Sequence, residues 1–262
     1  MGKTHKLFNR EAEKAGAGNA QATQPTADAV KTQATQPTAN ALKLQATQPT
    51  LATRIVQYMT AKGYALARKA GEVNIVYIEG ADSDGTPNAD RIDGWNDRRI
   101  VIMFEMDGNH PVIVHNAEAT TEPGLAATNS EGARRRGGVA RIQFGQFAVW
   151  QMGFHRQATQ GPNHPALVQR RPLRVHRDAN RDGKRTGDAL DWAEGINQHS
   201  TRVGIRPERV GWWSEGCLVG RSWILHEQFI QLCRRDPRYI ADPNFFFPTT
   251  IIAGDDFARK TK

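Results

Sequence analysis

Cysteine is scarce in this chain: among 262 residues only Cys217 and Cys233 carry a thiol. Two thiols build no disulfide framework, and no Cys/His spacing suits a structural zinc ion. No apolar run approaches the roughly 20 residues needed to span a bilayer, so membrane insertion is not expected. The start, MGKTHKLFNREAEKAGAG, lacks the apolar core of a secretory signal, and Lys6 stands where a myristoylation site needs Ser or Thr. Synthesis in the cytoplasm without a signal peptide is the expectation. Charge of one sign is also in short supply. Lys and Arg outnumber Asp and Glu to give +8 and a pI near 9.8, which suits an anionic partner such as a cell wall, a membrane surface or nucleic acid. No RNA- or DNA-binding motif accompanies the charge, so nucleic acid is not expected.

Large aliphatic and aromatic side chains are nearly missing from residues 1–50. QATQPTA stands at 21–27 and 33–39 and QATQPTL at 45–51, a period of twelve punctuated by Pro25, Pro37 and Pro49. Three short polar copies cannot stack into a solenoid or bury enough surface to offset their ordering entropy. The composition predicts a disordered low-complexity arm over 1–50, serving as a tether or as a segment that docks on a partner.

From residue 51 the pattern becomes that of a folded domain running to 262. Leu51, Ile55, Val56 and Met59 recur at helical spacing, with Thr50 to cap and Gly63 to stop. Val73 to Ile78 is β-branched and aromatic between Gly71 and Gly80, which predicts a strand. The stretch ADSDGTPNADRIDGWNDR predicts a loop whose acidic residues are solvated. Arg99–Phe104 and Val112–His115 predict a hairpin about Asp107-Gly108-Asn109. Further strands are expected at Val139–Phe144, Phe147–Phe154 and Leu173–His176, with Arg134, Arg135 and Arg136 on a solvated surface. Ser222 caps a helix placing Leu225, Phe229, Leu232 and Cys233 on one face, which makes Cys233 a core residue. Asn244–Ile252 is apolar and interrupted by Pro248, and 255–262 reads as a polar, frayed end.

Chemistry concentrates between Gly195 and Gly220. His199 is followed eighteen positions later by Cys217, inside Ser214-Glu215-Gly216-Cys217-Leu218. A thiolate is the nucleophilic form of cysteine, and an upstream histidine is a candidate base that would lower the thiol pKa. Gly216 leaves space beside the sulfur, and the N–H groups of Gly216 and Cys217 are candidate oxyanion donors. Glu215 opposes ionisation of the thiol unless it points away or pairs with an arginine such as Arg221.

His-Ser followed by Ser-x-Gly-Cys at this separation resembles the signature of the L,D-transpeptidase (YkuD-type) catalytic domain. The wider run from VNIVYIEG through ATTEPG, ARIQFGQF and ALVQR resembles a divergent, phage- and prophage-associated relative, over about residues 54–240. Two positions depart from the usual signature. Glu215 stands where a second histidine or a small residue is common. Val219 stands where Arg or Asn is common, with Arg221 two further on. The resemblance implies a mainly β (α+β) domain of mixed β-sheet with peripheral helices. It also implies an enzyme that attacks peptidoglycan stem peptides at the carbonyl of the diamino acid in position three. Cys217 is then the nucleophile, His199 the base, and Gly216 and Ser214 members of the catalytic loop. His155, Glu215, Arg221 and Ser200 are candidates for contact with substrate. The acyl-enzyme passes to water or to an amine, and the phage-like similarity favours hydrolysis. No cofactor is required, and a holin, a tail or an injection device would bring the protein to the wall. The rival expectation is a non-catalytic phage or injection-system structural or cargo protein that binds cell wall. A papain-like protease lacks a match around the cysteine.

Asp178-Ala179-Asn180-Arg181-Asp182-Gly183 matches the opening of an EF-hand-type calcium loop, with Asp178, Asn180 and Asp182 as oxygen ligands. Position twelve is Ala189 instead of Glu, and Asp188 or Asp191 is the available substitute. An Asx-rich turn is the alternative.

Overall fold

The structure, a computed structural model, describes residues 49–157 and 161–261, with backbone alone at 156–157 and 161–163. The expected arm, apart from its last two residues, lies outside the described residues. The chain opens with helix α1 (Leu51–Ala61), whose N-cap Thr50 accepts from the Thr53 N–H as its position predicts. Ile55 and Met59 of α1 bury themselves against Val76 and Ile78 of β1 (Asn74–Glu79) and Ile100 and Ile102 of β2 (Asp97–Phe104). Burying two such side chains contributes on the order of 3–6 kcal/mol before entropic costs. All of β1 is buried, because its other face, Ile75 and Tyr77, enters a second core. A β-branched run without polar alternation is what a strand covered on both faces requires.

Antiparallel pairing of β2 with β3 (Pro111–Thr120) produces the expected hairpin, and Gly108 takes a left-handed φ of 70° in its turn. The long strands β5 (Gly145–Gln157) and β6 (Gly161–Gln169) pair antiparallel. β9 (Gln198–Ser200) and β10 (Leu218–Gly220) lie parallel, and β11 (Phe247–Ala253) lies parallel to β1. Together they close a mixed eight-strand barrel in the order β1-β11-β5-β6-β9-β10-β3-β2. Pro248, with no N–H to give, sits where the β11–β5 register shifts. A smaller sheet, β4-β7-β8, is built from β4 (Val139–Ile142), β7 (Leu173–Asp178) and β8 (Leu190–Ala193). The mainly β, mixed-sheet expectation therefore holds. Among the described residues no helix is long and apolar enough to cross a membrane.

Trp150, Leu167, Leu218, Phe229 and Phe247 share the larger core, where Trp150 satisfies its indole N–H on the Ile196 carbonyl at 2.8 Å. Short helices α2 (Leu125–Thr128) and α3 (Glu131–Arg135) lead into β4, and Arg134, Arg135 and Arg136 are exposed as expected. Helix α4 (Trp223–Arg234), capped by Ser222, buries Phe229 and Cys233, and short α5 (Pro237–Ala241) follows. Two sequence expectations are corrected. Residues 255–260 are not frayed: α6 (Gly254–Lys260) buries Phe257 and Ala258, and Asp256 accepts from the Tyr58 hydroxyl at 2.7 Å. The acidic loop is not uniformly solvated either. Asp97 is fully buried and accepts from the N–H groups of Gly80 (2.8 Å) and Thr121 (2.6 Å), tying two loops together.

Candidate active site

Register decides which side chains meet. Leu167 of β6 pairs with Gln198 of β9, and Leu218 of β10 pairs with the same residue. Leu167 and Leu218 enter the larger core, and Gln198 donates to Thr249 there at 2.8 Å. Alternation along strands then puts Asn197, His199 and Cys217 on the opposite face. His155 and His164, paired across β5 and β6, reach the same face. Sequence positions separated by more than sixty residues thus meet on one patch.

His199 is fully buried and its Nδ1–H donates to the Ser200 carbonyl at 3.0 Å. A carbonyl only accepts, so the proton of the neutral ring is on Nδ1 and Nε2 carries the lone pair. Among the described residues that Nε2 has no hydrogen-bond partner. The His155 ring stacks on His199 with centroids 4.0 Å apart and planes 5° from parallel. Asn197 holds His155 in place. Its Oδ1 accepts from the Gln169 N–H at 3.0 Å, which turns its Nδ2 toward His155 Nδ1 at 2.8 Å. His164 Nε2 accepts from the Ser200 N–H at 3.2 Å and its ring stacks on His226 at 5.5 Å. Burial, and then the neighbouring His155, hold His199 well below the usual histidine range. His199 is therefore a neutral imidazole at ordinary pH, with a lone pair available.

Cys217 is half-buried against Trp213 and the apolar cluster of Trp95, Val210 and Val219. Its Sγ accepts from the Asn197 N–H at 3.4 Å and approaches the Gly195 carbonyl at 3.7 Å. Burial pushes the thiol up to about 11, and the Glu215 charge adds to the rise. The expected lowering is thus reversed. The sulfur is not hydrogen-bonded to His199, and its surroundings are apolar and anionic. What the site holds at rest is a neutral thiol and a neutral imidazole on one face of two adjacent parallel strands.

Three residues of the loop before the cysteine take defined places. Ser214 accepts from the Gly216 N–H at 3.1 Å and donates to the Cys217 carbonyl at 2.8 Å. It fixes the turn and takes up one of the two expected oxyanion donors, leaving the Cys217 N–H for that task. Gly216, at φ 134°, is required by packing: a Cβ there would lie 2.6 Å from the Ala140 carbonyl of β4. Glu215 turns outward to Arg136 at 2.7 Å, not to Arg221.

Two of the proposed substrate contacts are not at the thiol. Arg221 donates to the Pro207 carbonyl at 2.9 Å and pairs with Glu118 at 3.4 Å. Ser200 is fully buried, and its hydroxyl donates to the Thr201 carbonyl at 2.9 Å. It acts through its backbone, orienting His199 and His164. His155 does join the site, as a ring stacked on the base. Asn197, His164 and His226 were not singled out from sequence, since only the pairing of β5, β6 and β9 brings them in. Next to Gly195, Pro172, exposed Trp192 and Glu194 line an open groove of about 580 Å³.

Asp178 is the last residue of β7, and Asn180 and Asp182 lie in the connection from β7 to β8. Asp178 is buried and accepts from the Gly183 N–H at 3.2 Å and the Arg141 Nε at 3.5 Å. Asn180 is turned inward, accepting from the Asp182 N–H at 3.1 Å and donating to the Asp182 carboxylate at 3.1 Å.

Comparison of the chain with protein-family models, curated proteins and solved structures finds no match in any of the three. The functional reading rests on the geometry and on the signature around His199 and Cys217.

Proposed function

We propose that this chain is a cysteine-dependent peptidoglycan enzyme that cleaves stem peptides through an acyl-enzyme. The observation that carries the proposal is the tautomer of His199. Nδ1–H is fixed on Ser200 and the Nε2 lone pair is without a hydrogen-bond partner among the described residues, on a strand that pairs with β10, the strand directly after Cys217. A thiol near pKa 11 needs a base at the moment of attack, and a neutral imidazole is one. Attack forms the S–C bond at the substrate carbonyl while the thiol proton passes to His199 Nε2. The carbonyl oxygen takes the charge against the Cys217 N–H. Collapse breaks the C–N bond, and His199 returns the proton to the departing amine. Water then attacks the thioester, losing a proton to His199, and the thiol leaves with that proton. The groove lined by Pro172, Trp192 and Glu194 ends one residue before Gly195, whose carbonyl the sulfur approaches, and offers room for a peptide. The likeness to phage-associated relatives favours water over an amine as acceptor, with delivery to the wall by a holin, a tail or an injection device.

A second reading is favoured by one observation, that the resting thiol bonds to Asn197 and Gly195 and not to His199. In it the domain binds wall without cleaving it. Mass spectrometry of muropeptides incubated with wild type or Cys217→Ala separates the two. Shortened stem peptides and a released amino acid with wild type alone are expected. Identical digests, with wall binding retained by both proteins, would establish the binding reading.

A further inference from the structure

We propose that Asp178, Asp182 and Asp188 form a calcium site that staples the connection between β7 and β8. One carboxylate oxygen from each lies within 4.8 Å of the others. The cluster gains weight from a separate observation: Asp178 is 0% exposed, yet its Oδ1 has no hydrogen-bond partner among the described residues. Asp188 repeats the pattern, with a buried Oδ2 that is likewise without one. Burying an ionised carboxylate oxygen with nothing to accept from is unfavourable, and the three carboxylates in proximity repel one another. Arg141 relieves this only in part. Its guanidinium touches the other oxygen of Asp178 and is shared with Glu122. A divalent cation answers both problems at once.

The donors select the ion. All are hard carboxylate oxygens, with no imidazole or thiolate in the cluster, which points to calcium or magnesium over zinc. Three protein carboxylates within 4.8 Å of one another favour calcium, which takes protein oxygen ligands in flexible geometry, over magnesium, which keeps several waters and is usually held by one or two carboxylates. The ligand set differs from the one the D-x-N-x-D-G spacing suggests. Asn180 braces Asp182 from within the turn, and Asp191 pairs with Arg177 at 3.0 Å. Asp188, arriving from the far end of the loop just before β8, completes the set. The ion would therefore join the two ends of the loop and hold β8 in register on β7.

The test uses the full chain freed of metal with EGTA, then titrated with calcium chloride in thermal melts and by calorimetry. The expectation is one calcium per chain and a rise in melting temperature. The folding equilibrium should shift by about a hundredfold when free calcium is a hundredfold over Kd. Asp182→Asn is exposed and Asp188→Asn half-buried, so both variants should fold, and each should lose the response. A wild-type melt that is the same in EGTA and in millimolar calcium chloride would overturn the site. Variants that respond like wild type would overturn the ligand assignment, and an equal response to magnesium chloride would overturn the choice of ion.

Discussion

The Cys217 thiol should behave as a sluggish nucleophile until substrate is bound. At a pKa of about 11, roughly one part in ten thousand is thiolate at pH 7, against about 3% for a free cysteine. A more basic thiolate is also more reactive, and a Brønsted slope of about 0.4–0.5 recovers about tenfold of that roughly 300-fold deficit. Iodoacetamide should therefore label Cys217 about thirtyfold more slowly than free cysteine at pH 7, with the rate rising about tenfold per pH unit. Cys233 is fully buried in the core and should stay unlabelled while the protein is folded. Glu215→Gln removes a charge that opposes ionisation and should speed labelling severalfold. His199→Ala should leave the labelling rate nearly unchanged, since the resting sulfur bonds to Asn197 and Gly195, while abolishing turnover. Quenched time courses with peptide mapping give the rates. A labelling profile that levels off with a midpoint below about pH 8.5, or one slowed by His199→Ala, would refute a neutral resting thiol.

Two further outcomes follow from packing and titration. Gly216→Ala places a Cβ 2.6 Å from the Ala140 carbonyl at a left-handed φ, so urea melts should show a loss of about 2–3 kcal/mol, and a loss under about 0.5 would contradict the packing argument. For pH, burial lowers His115 to about 3 and His164 to about 4 and holds His199 and His226 well below their usual range. The unfolded chain binds protons there that the native state refuses, so these groups make stability rise up to about pH 6.5. Burial raises Asp90 to about 6, Glu122 to about 7 and Asp97 well above the carboxylate range, and their contribution is lost as pH rises through those values. Four histidines outweigh three carboxyls below about pH 6 and stop contributing above it, so the melting temperature should peak near pH 6 and decline toward 7.5, whereas a steady fall from pH 4.5 would contradict the sign.

What was legible in the sequence is what local pattern controls. Thr50, Ile55 and Met59 specify α1, the turn at Asp107-Gly108-Asn109 specifies the first hairpin, and Ser222 with Phe229 and Cys233 specifies α4. The signature singles out Cys217 and His199, which lie on or beside the adjacent strands β10 and β9, but it does not announce that the resting sulfur bonds to Asn197 and Gly195 instead of to His199. The rest depends on which strands pair. His164 reaches His199 only because β5 and β6 bring it opposite His155 and β9 lies beside them. Glu215 finds Arg136 instead of Arg221 because α3 and β4 pack beside the Ser214–Cys217 turn. The rise in the thiol pKa likewise comes from Trp95, Val210 and Trp213, which no spacing around Cys217 announces. Phe257 makes the polar end of the chain a packed helix, a single apolar anchor that composition averages away.

The most direct test of the account is the intact mass of the protein, acid-quenched during turnover of a tetrapeptide stem carrying a diamino acid at position three. The account predicts a transient adduct equal to the acyl tripeptide, mapping to Cys217 and missing from Cys217→Ala. Cleavage of the peptide without any adduct on Cys217, or cleavage that persists in Cys217→Ala, would contradict it.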